Sequence, residues 1–116
     1  MIQNEITVTN KWILGEGKNG TFSNLKILVR KGDKSSLERG KEIENTNEEL
    51  LTEIERQLSE NWIVGYEKDG INLQITILNV GIDSQGRKYA IENSVNGAMH
   101  MALPKIGVVP PQIFSL

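Results

Sequence analysis

The chain has 116 residues, 24% of them charged and 38% hydrophobic, with a formal net charge of −2 and no cysteine. Such a length makes one domain with its own core, and the absence of thiols excludes a disulfide framework, a thiolate zinc site and a cysteine nucleophile. So small a negative charge excludes whole-surface attraction to nucleic acid or to an anionic membrane. The first seven residues lack a basic segment followed by an apolar core. With no run of about 18 apolar residues either, a cytoplasmic protein is expected.

Residues 5–14 alternate, with Ile6, Val8, Trp12 and Leu14 on one side, Thr7, Thr9 and Lys11 on the other, and Asn10 and Ile13 as exceptions. This is the period of a half-buried strand. Residues 15–20 carry three glycines, a turn composition. Residues 21–30 alternate again through Leu25, Ile27 and Val29, so the first thirty residues are expected to form an antiparallel hairpin. Residues 31–45, charged and broken by Gly32 and Gly40, read as a loop.

Residues 46–62 hold the strongest helical signal. Leu50, Leu51, Ile54, Leu58 and Trp62 recur at spacings of three and four, forming one apolar stripe that must be buried. Thr46 and Glu49 fit a capping box. After the helix, residues 63–68 read as a short strand closed by Asp69-Gly70, the pair that type I′ hairpin turns prefer. Residues 71–78 alternate through Ile71, Leu73, Ile75 and Ile77 as the clearest strand. Residues 83–86 read as a turn, and Tyr89, Ile91 and Val95 as a further strand. Residues 97–103 fit either a helical turn or an extended edge. The expected fold is a single α+β domain over residues 1–116, in the order β-β-α-β-β-β. One helix, about a sixth of the chain, covers a mostly antiparallel sheet of about five strands. Residues 104–116 are expected to form an extended apolar tail, whose Pro110-Pro111 pair forbids a central strand.

Several motifs bear on chemistry. Gly15, Gly17 and Gly20 fit G-x-G-x-x-G, but a strand follows where a dinucleotide site needs a helix. Placed between two strands, the stretch resembles the glycine-rich loop of protein kinases, with Phe22 in the usual valine place. The resemblance covers under a tenth of the chain, and no H-R-D, D-F-G or A-P-E element accompanies it. A hairpin turn that binds no nucleotide is the expectation. His100 is the single histidine. With Lys105, Arg87 or Lys88 it supplies the general base and cations of a metal-free nuclease, although Met99 and Met101 on either side suit a packed histidine. The carboxylates Glu42, Glu44, Glu53 and Glu60 lack metal-ligand spacing, and no metal or cofactor is expected.

Charge is unevenly placed: residues 1–41 carry net +4, residues 42–69 net −7 and residues 70–116 net +1. Glu49, Glu53 and Glu60 fall on the helix side opposite the apolar stripe, with Arg56 beside them and Glu49 and Glu53 in i,i+4 repulsion. The expectation is a non-enzymatic protein-binding domain of the inhibitor, immunity or phage-accessory type. It would meet a basic partner through Glu49, Glu53 and Glu60 and the apolar tail residues Ile113 and Phe114, with neither nucleic acid nor membrane as partner. A homodimer is compatible with this. The alternatives are the nuclease centred on His100 and a small-ligand binder using a sheet face.

Overall fold

The computed structural model describes residues 3–14, 21–41, 43, 47–82 and 87–109. Strands β1 (Glu5–Leu14) and β2 (Thr21–Lys31) pair antiparallel in unbroken register, from Glu5 opposite Arg30 to Leu14 opposite Thr21. This is the hairpin that the alternation predicts. The glycine stretch at 15–20, the turn read at 83–86, Thr46, and the tail from 110 with Ile113 and Phe114 lie outside the described residues.

The expected loop at 31–45 contains a short strand, β3 (Ser36–Arg39), and β4 spans Leu73–Ile82. The sheet order is β1-β2-β4-β3, with β2 and β4 antiparallel and β3 and β4 parallel. Among the described residues the sheet has four strands where about five were expected, and it is mixed: two of its pairings are antiparallel, as most were expected to be, and that of β3 with β4 is parallel. Parallel neighbours need a crossover, and the helical segment between β3 and β4 supplies it. That segment is one rod: α1 (Glu48–Leu58), a π-helical turn over Ser59–Ile63, and α2 (Val64–Lys68).

Residues 63–68 are therefore helical, not a strand, and Asp69-Gly70 ends a helix instead of turning a hairpin. Gly70 has φ 81°, its N–H donates to Glu67 O at 3.0 Å, and the Ile71 N–H donates to Tyr66 O at 2.9 Å. These two bonds are the Schellman arrangement. A type I′ turn and a Schellman stop both need a positive φ, so the same dipeptide suits either.

The third expected strand, through Tyr89, Ile91 and Val95, is α3 (Arg87–Ala102), sixteen residues long, followed by a 3-10 turn over Leu103–Ile106. Helix is thus not confined to residues 46–62. Ala90, Ile91, Ser94, Val95, Ala98, Met99 and Ala102 are all buried and recur at helical spacing. The small side chains of Ala90, Ser94, Ala98 and Ala102 let α3 lie close on β1 and β2.

One sheet face, carrying Val8, Leu25, Ile27, Val29, Leu73, Ile75 and Ile77, forms a single core with the α1 stripe and α3. Leu50, Leu51, Ile54, Leu58 and Trp62 are buried as the periodicity requires. Asn10, the exception in β1, has a role there: its amide donates to Asn93 O at 3.3 Å and Ser94 O at 3.0 Å on α3. Gly97 makes the space, because a Cβ at that position would stand 2.4 Å from Asn10 Nδ2.

Candidate functional site

The outward side of α1 is built from its first turn. Asn47 is the N-cap, one residue later than the expected Thr46, and its Oδ1 accepts from Glu49 N at 2.9 Å and Leu50 N at 3.3 Å. Helix propagation then places Glu48 and Glu55, seven residues apart, on one side. Arg39, the last residue of β3, lies between them. Its Nη1 and Nη2 donate to the two Glu48 oxygens at 2.9 and 2.8 Å, and its Nε and Nη2 to Glu55 at 3.2 and 2.7 Å. These hydrogen bonds hold the Arg39 guanidinium above its ordinary pKa and the Glu48 carboxyl below its own.

A second arginine organises the next turns. Arg56 donates through Nε to Glu53 at 2.9 Å and through Nη1 to Glu60 at 2.7 Å, and its own pKa is raised by these bonds. Glu53 Oε1 also accepts from Gln57 Nε2 at 3.1 Å. The i,i+4 repulsion expected between Glu49 and Glu53 is therefore offset at Glu53 by a guanidinium. Glu49 and Glu60 are exposed and Glu53 is half-buried. The rod thus gathers Glu48, Glu53, Glu55 and Glu60 around two guanidiniums, with Glu49 on the same helix. Arg39 gives no signal in the sequence, since its segment has no strand periodicity and its partners lie 9 and 16 residues on.

Beyond Glu60 the rod turns apolar. A groove of about 300 Å³ is lined by Asn61, Trp62, Gly65, Tyr66, Asp69 and Val109. The Tyr66 hydroxyl closes one side by donating to Val109 O at 2.6 Å. Burial and then Asp69 push that hydroxyl above its ordinary pKa. Val64 and Val109 are exposed at 42% and 77%, and Val109 lines the groove.

His100 lies near the end of α3, edge-on to Trp62 with ring centroids 5.4 Å apart. Trp62 Nε1 donates to Asn96 Oδ1 at 3.3 Å. The His100 Nε2 atom is buried and has no hydrogen-bond partner among the described residues. Lys105 is exposed in the 3-10 turn, where its carbonyl accepts from Gln3 N at 3.0 Å. Arg87 opens α3, thirteen residues before His100, an axial separation of about 20 Å. The backbones of Arg87 and His100 thus stand toward opposite ends of α3.

Among the described residues no group of three or more His, Asp or Glu side chains could hold a metal ion, and no helix is long and apolar enough to cross a membrane. The chain matches no protein-family model, and no curated protein is significantly similar to it. The arrangement on the rod offers carboxylate oxygens in fixed positions to cationic groups.

Proposed function

We propose that the protein is a small non-enzymatic protein-binding domain, of the inhibitor or immunity type, that meets a basic partner surface with the outward side of α1. The observation that carries this reading is the excess of carboxylates over guanidiniums on the outward side of α1, where Glu48, Glu53, Glu55 and Glu60 share Arg39 and Arg56 and Glu49 is exposed on the same helix. Each arginine is shared between two carboxylates, so the face keeps net negative charge while its side chains are held in place. Charge of this kind steers association, and desolvated apolar area slows dissociation. Ile113 and Phe114 follow Val109 in the chain and are proposed to extend the apolar part of the contact. The nuclease alternative finds no support in the packing of His100 against Trp62, which leaves Nε2 buried where a general base needs access to substrate.

The test uses immobilised protein and a Glu49→Lys/Glu60→Lys variant, each exposed to lysate of low and high salt. Glu60 also bonds Arg56, so Glu53 is left intact to keep one carboxylate partner for Arg56 and the bond from Gln57. A partner retained by the native protein at low salt, and lost both at high salt and with the variant, supports the reading. A partner indifferent to both places the contact elsewhere.

A further inference from the structure

We propose that the outer edge of β1 pairs with the β1 edge of a second copy of this chain, antiparallel about Val8, joining two four-stranded sheets into one of eight. Strand β1 ends the sheet order and, among the described residues, pairs only with β2. A ten-residue edge leaves a row of backbone donors and acceptors open to another strand, and proteins usually blunt such an edge with proline, a bulge or several charges. Here β1 has no proline, its register with β2 is unbroken, and its only basic residue is Lys11.

The sequence of the edge is complementary to itself. In a two-fold antiparallel pair centred on Val8, residue i faces residue 16−i of the other copy. Glu5 then faces Lys11 of the second copy and Lys11 faces its Glu5, while Thr7 faces Thr9 in both directions. All four side chains are exposed on the outer sheet face. On the inner face Val8 meets Val8 and Ile6 meets Asn10, beside α3 and the 3-10 turn that already pack under β1. The pairing preserves parity, so outward residues stay outward and inward ones inward. Moving the centre to Thr7 or Thr9 separates both charge pairs. Parallel in-register pairing sets Glu5 against Glu5 and Lys11 against Lys11, and like charges directly opposite each other destabilise a sheet. The contact is isologous and closes at two copies. It lies at the sheet edge opposite β3, whose Arg39 holds α1, so it is independent of the acidic face.

Sedimentation equilibrium of the full chain from about 10 μM to 1 mM reads the dimer directly, with circular dichroism confirming the fold of each variant. Native protein should dimerise with concentration. Lys11→Glu alone, and Glu5→Lys alone, turn both attractive pairs repulsive and should weaken the dimer at least about tenfold. Glu5→Lys also sets a cation opposite Arg30, which makes Lys11→Glu the cleaner single change. The double variant Glu5→Lys/Lys11→Glu restores both pairs and should restore the dimer. An equimolar mixture of the two single variants should form a heterodimer, since one copy then carries two cations and the other two carboxylates. A native protein monomeric at 1 mM, a dimer indifferent to the single reversals, or reversals that neither the double variant nor the mixture rescues would overturn the proposal.

Discussion

Replacing Gly97 by alanine sets two known effects against each other. In a helix interior alanine is favoured over glycine by about 0.8–1 kcal/mol. The added Cβ, however, would stand 2.4 Å from Asn10 Nδ2 and 3.1 Å from Asn10 Cγ, so the amide must leave. It now donates to Asn93 O and Ser94 O, and each hydrogen bond has a net worth of about 0.5–1.5 kcal/mol. Gly97→Ala in the native background should therefore be neutral to destabilising, by up to about 2 kcal/mol. With Asn10→Ala already in place the obstacle is gone, and the same change should stabilise by about 0.5–1 kcal/mol. Urea unfolding of the four proteins in this cycle gives the coupling directly, expected at about 1–3 kcal/mol. Additivity within about 0.5 kcal/mol would mean that Gly97 is not there to admit the Asn10 amide, and that β1 and α3 are held by apolar packing alone.

Leu58→Ala, at a fully buried position in the α1 stripe, should cost about 2–5 kcal/mol by leaving a cavity; a loss under half a kcal/mol in urea would remove the rod from the core. Gly70→Ala meets no neighbour but keeps φ near 81°, so it should destabilise by about 1 kcal/mol in thermal unfolding. The Glu48 carboxyl is held below its ordinary pKa by Arg39. Its contribution to stability is therefore present above the ordinary carboxylate pKa and lost as pH falls through the lowered folded value. In Arg39→Met the Glu48 titration, followed by carboxyl NMR, should move up to the ordinary value, and an unmoved midpoint would show that the pair does not persist in solution.

The sequence by itself determined the elements whose period is strong and whose residues contrast. The α1 stripe from Leu50 to Trp62 and the alternation in β1, β2 and β4 each bury one side of a polar segment, and no other arrangement satisfies those patterns. The acidic block was legible as charge, because charge needs no geometry to count. What the tertiary structure alone decided follows from weaker contrast or from distance. Helix α3 buries Ile91, Val95 and Met99 among alanines and a serine, which contrast too little in hydropathy with the asparagines and glycine around them, so the two-residue step from Tyr89 to Ile91 read as strand period and the helical spacing from Ala90 to Ala102 did not stand out. The Asp69-Gly70 pair could stop a helix or turn a hairpin, and the continuity of the rod through Trp62 and Ile63 into the core settled it. Strand β3 has four residues and exists because β4 offers a free edge beside it. Arg39 joins the acidic face, and Asn10 meets the Ser94 carbonyl on α3, only once the chain has brought segments 9 to 84 residues apart into contact, a proximity that local pattern does not encode.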